Sequence, residues 1–239
     1  MIVYLYQQIF YRPILNTLVY LYQTVAFHDL GLAIIFATII VRLILYPFFH
    51  KGAKQQMLMQ RLQPKVKKIQ EFHKNDREKQ TQELMALYKE HGVNPFSSIL
   101  LLIVQLPILI TLYRIFLSGL GPNQFSSLYS FIAAPQTVNA TLLGLVDLKA
   151  HNIYLVILAG LAQYFQARLS VYRAPGADPK TLSSAEKMAR QMAFIGPVVT
   201  VVIFFNLPAA VGLYWIVSSL FSMVQQILVN RHLQDKYGA

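Results

Sequence analysis

The side chain whose chemistry most needs explaining is an arginine inside an apolar run. Arg42 lies within LGLAIIFATIIVRLILYPFFH (residues 30–50), which is apolar except for Thr38, Arg42 and the closing His50. About 20 apolar residues, each rising roughly 1.5 Å, cross a hydrocarbon core. A fixed cation in such a run is expected to face protein or water, and marks a functional site by default. Other apolar runs carry Gln105, Gln163, Gln166, Trp215, Ser218, Ser219 and Gln225. These residues can hydrogen-bond and hold a charge, and none sits in the pattern of an activated nucleophile. The chemistry on offer is binding.

The apolar runs contain no Asp or Glu, although buried arginines normally pair with carboxylates. Arg42 must therefore find neutral acceptors, backbone or water for its guanidinium donors. Two arrangements are open: it faces a hydrated cavity between helices, or it snorkels toward the membrane surface. Lys51 is nine residues further on, roughly 13 Å along a helix, and the long side chain recovers part of that distance. An insertion cost of about 2.5–3.5 kcal/mol for a central arginine is tolerable in so apolar a run, and does not decide between them. Each glutamine also has a plainer role as interhelical glue, worth about 0.6 kcal/mol. Trp215 has one in packing or at the interface.

Composition excludes several classes. The chain is 55% hydrophobic and 13% charged, against roughly 25% charged in a soluble domain, which points to a polytopic membrane protein. There are no cysteines, hence no disulfide, thiolate metal site or thiol nucleophile. The six histidines show no HxxxH or HxxE spacing, so no metal is expected. P-loop, GxGxxG and GxSxG patterns are absent, and no cofactor, nucleotide hydrolysis or acyl transfer is expected. The net charge of +11 is concentrated in particular loops, and direct DNA binding is not expected.

The elements that would position these residues follow from periodicity. Residues 1–29 mix apolar and polar positions with many tyrosines, as in a helix lying in the headgroup region or a poor additional span. A basic n-region and an A-x-A site are missing, so no cleaved signal peptide is expected. Span 1 covers 30–50. In 51–93, Leu58, Leu62, Val66, Ile69 and Phe72, then Leu84, Leu87 and Tyr88, recur at helical spacing. That segment reads as a hairpin of two amphipathic helices broken near Asn75-Asp76, with Pro64 kinking or starting the first. Span 2 covers 95–118, and 119–151 is a weakly structured loop. Span 3 covers 152–172, followed by a polar loop at 173–190. Spans 4 and 5, 191–206 and 209–229, meet at an Asn206-Leu207-Pro208 turn, and 230–239 is a tail. The expected fold is an all-α membrane protein with five transmembrane helices, an N-terminal interfacial helix and a cytoplasmic hairpin. Segment 51–94 holds ten Lys/Arg against five acids, whereas 1–29 has only Arg12 and 119–151 only Lys149. The excess of positive charge on cytoplasmic loops puts the N-terminus outside and the C-terminus in the cytoplasm.

Three blocks resemble one family. NPFSSILLLIVQLPILITLYRIF (94–116) looks like the second core span of the YidC/Oxa/Alb membrane-protein insertases. IGPVVTVVIFFNLPAAVGLYWIVSSLFSMVQQILVNR (195–231) resembles their last two spans, and LGLAIIFATIIVRLILYPF their first, with the family's arginine at Arg42. The resemblance implies an insertase of the bacterial plasma membrane with no energy source of its own. Its five core spans would enclose a hydrophilic groove, open to cytoplasm and lipid and closed on the outer side. Arg42 would be the groove cation, with Gln166 and Trp215 matching polar and aromatic groove positions. The substrate-binding groove is thus expected to comprise Arg42, Gln105, Gln163, Gln166, Trp215, Ser218 and Ser219. The implied partners are nascent membrane proteins and the lipid bilayer. The Sec translocon, ribosome or signal-recognition machinery would meet the 51–93 hairpin. The sequence departs from the family in lacking the large periplasmic domain of some members and the lipoprotein cysteine of others. Its ten-residue tail is also too short for a long basic ribosome-binding extension, and Arg114 stands where an aromatic residue is common. A solute transporter or channel could use the same polar cavity, but would more naturally carry intramembrane acids. A membrane-embedded enzyme lacks its nucleophile or metal constellation.

Overall fold

A computed structural model describes residues 1–95, 97–118, 120–170 and 184–237. Residues 171–183, the last two of the expected span 3 and the first eleven of the expected 173–190 loop, lie outside the described residues. The chain forms two compact units.

The first unit comprises Met1–Leu45, Leu102–Gln163 and Pro197–Phe221. It opens with α1 (Ile2–Tyr6), a π-helical segment (Gln7–Tyr11) and α2 (Arg12–Thr24). Pro13 has no N–H to offer the carbonyl of Ile9, and the Arg12 N–H bonds five residues back to Gln7. The backbone takes up the missing donor by widening one turn. α2 buries Leu15, Leu18, Val19 and Tyr22 and packs along α3 (Leu30–Ile44). Asp29 starts α3: its backbone is extended and its carboxylate accepts from the Leu32 N–H at 2.9 Å. An acidic N-cap satisfies a free donor and favours the helix dipole.

Span 1 was expected to run unbroken from 30 to 50. Instead α3 ends at Ile44, and α4 (Tyr46–Arg61) begins after Leu45. Pro47 supplies the reason. It cannot donate to the Leu43 carbonyl, and its ring crowds that group. α7 (Ser97–Leu117) and α10 (Ser184–Phe204) carry Pro107 and Pro197 without ending. α10 starts seven residues earlier than the expected span 4. α9 covers Ile153–Ser170, and α11 covers Ala209–Tyr237 through most of the expected tail.

The expected loop at 119–151 has more structure than its composition suggests. It holds a short α8 (Pro122–Phe125) and an antiparallel pair, β1 (Thr141–Leu142) and β2 (Val146–Asp147). Buried Asn16 fixes one part of it, donating to the Ser127 carbonyl at 3.2 Å and accepting from the Tyr129 N–H at 2.7 Å. The carbonyls of Ala150 and Leu148 take the first N–H groups of α11, from Ala209 and Ala210, at 2.9 and 3.1 Å. Gly31 and Gly160 mark close approaches. A Cβ at Gly31 would lie 2.8 Å from the Leu142 Cα, and one at Gly160 would lie 2.5 Å from Val201 Cγ2.

In the second unit, α5 (Gln63–Phe72) and α6 (Arg77–Glu90) pack through Leu62, Val66, Leu87 and Val93. Pro64 sits in the first turn of α5, where no intrahelical donor is lost. Asp76 caps α6 through the Lys79 N–H, and Gly92, at φ +62°, follows its end. Gln55 ties α4 to this point, accepting from the Asn94 N–H at 3.0 Å. Burial pushes the Tyr88 phenol above its ordinary range.

Among the described residues, Ala209–Arg231 alone forms a helix long and apolar enough to cross a bilayer. The broken pair α3 and α4 qualifies if taken together, and Ile103–Leu117 and Ala193–Phe204 are shorter apolar helices.

Candidate functional site

Two helices bring polar side chains to Arg42 of α3. Arg42, in the last turn of α3, is 7% exposed. Its Nε donates to Ser218 Oγ on α11 at 2.8 Å, and its terminal NH2 donates to Gln105 Oε1 on α7 at 3.4 Å. The same terminal nitrogen also donates to Ser218 Oγ. Gln105 then passes the network on, its amide nitrogen donating to the hydroxyl of Tyr214. Tyr214 and Ser218 are one turn apart on α11, so both reach the same side of that helix. Each residue has a defined job: Ser218 and Gln105 accept from the cation, while Tyr214 fixes which way the Gln105 amide points.

The acceptors are neutral oxygens. α3 and α7 contain no Asp or Glu, and α11 has none before Asp235. Ser218 and Gln105 thus satisfy donors of the guanidinium and bring no charge of their own. Hydrogen bonds to a charged group are worth about 1.5–3 kcal/mol each, enough to hold the guanidinium in place. A cation in an apolar surrounding keeps a long-range attraction for anionic and polar groups.

A second polar pair lies further round α11. Trp215 Nε1 donates to Gln163 Oε1 on α9 at 3.0 Å, and the indole packs edge-on against Phe204, with centroids 5.3 Å apart. Ser219 is buried but offset by about 100° from Ser218 on the helix. Gln166 belongs to the second unit, where its carbonyl accepts from the Ser170 hydroxyl at 3.0 Å. Of the seven expected groove residues, Arg42, Gln105 and Ser218 form one network and Gln163 and Trp215 another. Ser219 and Gln166 join neither through a bond described here.

Two residues gained roles that sequence reading missed. Tyr214 is 2% exposed; its signal was a phenol inside an apolar run four residues before a serine. Arg114 stacks over the Tyr6 ring at 5.8 Å, and the Tyr6 hydroxyl accepts from Thr111 at 2.9 Å. That clasp holds α1 to α7 and accounts for a basic residue at this position. Among the described residues, no three His, Asp or Glu side chains gather where a metal could sit.

Apolar helices, exposed aliphatic faces and a buried cation together define an all-α membrane protein. The chain belongs to the 60Kd inner membrane protein family, the YidC/Oxa group, whose pattern matches residues 20–236. Relatives agree. "Membrane protein insertase YidC" of Clostridium tetani is 34% identical over 212 residues, covering 89% of this chain and 86% of that protein. Proteins of the same name from Geobacter metallireducens and Francisella tularensis subsp. novicida are 30% and 34% identical, covering 93% and 85% of this chain. The chain spans 37% and 33% of those two longer relatives.

Proposed function

We propose that this protein inserts and folds other proteins in the bacterial plasma membrane. It uses a hydrophilic groove lined by Arg42, Gln105, Ser218, Gln163 and Trp215, without nucleotide hydrolysis. The observation that carries this reading is the Arg42 guanidinium, buried yet bonded to neutral oxygens from α7 and α11. In the proposed mechanism the hydrophilic flank of an incoming segment enters the groove, drawn by that charge. Its apolar helix then moves along spans 2 and 4 into lipid, driven by hydrophobic transfer. Nothing covalent is required. The five spans are those set out from the sequence, with the N-terminus outside and the C-terminus in the cytoplasm. Nascent membrane proteins and the bilayer are the partners, and the 51–93 hairpin is where Sec, ribosomal or signal-recognition components would dock.

Reconstitution tests the proposal. Purified protein in liposomes should insert a small single- or double-span substrate above the level of protein-free liposomes. On a substrate with one acidic residue in its translocated flank, Arg42→Ala should lose most of this activity, and Arg42→Lys should retain it if charge rather than guanidinium geometry matters. Wild-type protein that inserts nothing above the lipid background would overturn the reading.

A further inference from the structure

The turn from α2 to α3, the loop after α8 and the β1–β2 hairpin hold four large apolar side chains out of the fold. Phe27, Phe131, Leu143 and Leu145 are 86, 77, 63 and 85% exposed. They belong to one piece of structure. The Asp29 carboxylate, two residues after Phe27, caps α3 with one oxygen and accepts from the Leu143 N–H at 2.6 Å with the other. Gly31 leaves room for Leu142 against α3. Gln23, at the end of α2, donates to the Ala133 carbonyl at 2.8 Å, and Phe131 stacks on Tyr129 with centroids 5.5 Å apart.

The backbone is strained where these side chains are presented. Phe27, His28 and Leu143 have φ of 51°, 58° and 53°, a region that bulky residues rarely enter. Residues held this way need a surrounding that over-determines them, and the inference runs from such outliers to function. An apolar tip kept rigidly exposed is unfavourable in water. It is favourable in lipid.

Lipid is the occupant that the surroundings favour. The hairpin sits where three helices begin: α3 is capped by Asp29, α9 by Asn152 and α11 by the 148 and 150 carbonyls. The first turn of α9 carries Ile153 and Tyr154, 44 and 75% exposed, so the apolar surface of the helices continues onto the tip. Segment 119–151 has one lysine and one acid, leaving little for a charged partner to recognise. We propose that the 143–145 tip, together with Phe27 and Phe131, is a hydrophobic anchor that enters the leaflet at this end of the bundle. The anchor rests on the spans proposed above, while its orientation and any insertase activity do not enter into it.

The absence of cysteine makes the test direct. Single-cysteine variants Leu145→Cys, Leu158→Cys and Gln82→Cys are labelled with a polarity-sensitive fluorophore. Each is placed in nanodiscs of phosphatidylcholine and phosphatidylglycerol, in which both faces are accessible. Leu158, half-exposed on α9, is the lipid reference, and Gln82, exposed on α6, is the aqueous one. At 145 the emission should be blue-shifted and lost to a nitroxide on the lipid chain, as at 158, with little loss to iodide. Iodide quenching equal to that at 82 would sink the anchor. So would protection from both quenchers, which would mean that protein covers the tip. If the label at 158 itself escapes the lipid quencher, the proposed spans fail and not the anchor alone.

Discussion

Ser218 carries more of the Arg42 site than a small hydroxyl suggests. It accepts from two guanidinium nitrogens, and removing it leaves buried donors of a cation unsatisfied. Ser218→Ala should therefore destabilise the protein by about 1.5–3 kcal/mol. Tyr214→Phe removes a neutral partner of Gln105 and Ser218 while keeping the ring, and should cost about 0.5–1.5 kcal/mol. Thermal unfolding in one detergent ranks them: Ser218→Ala should melt below Tyr214→Phe, and Tyr214→Phe below wild type. Equal midpoints for Ser218→Ala and wild type would show that water replaces the hydroxyl. Which residue types could form the site was legible from the chain alone, because Arg42, Gln105 and Ser218 are conspicuous in apolar runs. Which of several neutral partners meets the cation was not, since that depends on how α3, α7 and α11 are rotated against one another. Tyr214 was overlooked for a related reason. A tyrosine in an apolar run reads as bulk until a partner for its hydroxyl is known.

Helix and strand boundaries depend on local backbone chemistry that hydrophobic periodicity does not report. The run 30–50 is apolar but for Thr38, Arg42 and His50, yet Pro47 ends α3 three residues earlier, and only the missing N–H says so. The β1–β2 hairpin was equally hidden: its strands are two residues each, too short to alternate, and Gly144 (φ +70°) beside Leu143 makes the turn. In α5 and α6 apolar residues recur at helical spacing, and Asp76 caps the second helix. Close helix contacts make a separate prediction. Gly160 lets α9 approach α10, and a methyl group there would meet Val201 Cγ2. Valine in a helix has little rotamer freedom, so Gly160→Ala should overpack the contact and destabilise by about 1–3 kcal/mol. Adding Val201→Ala should recover most of that loss. Two additive losses in the double-mutant cycle would show that the two positions do not share the contact.

At the scale of the whole molecule, the proposed function makes charge decide both orientation and which substrates depend on Arg42. The basic 51–94 segment and the nearly neutral 119–151 segment should lie on opposite sides of the membrane. In intact cells with the outer envelope permeabilised, an impermeant maleimide should label Ser126→Cys, exposed in the 119–151 segment, and should reach Gln82→Cys only after lysis. Labelling of Gln82→Cys before lysis would reverse the topology. The same electrostatics sets a limit on the insertase. An acidic residue at the centre of a span costs about 2.5–3.5 kcal/mol to insert. A carboxylate about 4 Å from a cation gains roughly 4 kcal/mol at an effective dielectric constant of about 20. One buried guanidinium can therefore offset one acid in a translocated flank, but not several. Substrates with no, one or three acids in that flank should separate accordingly in reconstituted liposomes. Without acids, wild type and Arg42→Ala should insert alike, because hydrophobic transfer alone drives the step. With one acid, wild type should insert and Arg42→Ala should fail; with three, both should fail. If Arg42→Ala loses as much on the acid-free substrate as on the one-acid substrate, the arginine acts by shaping or wetting the groove. Its charge would then not be what selects the substrate.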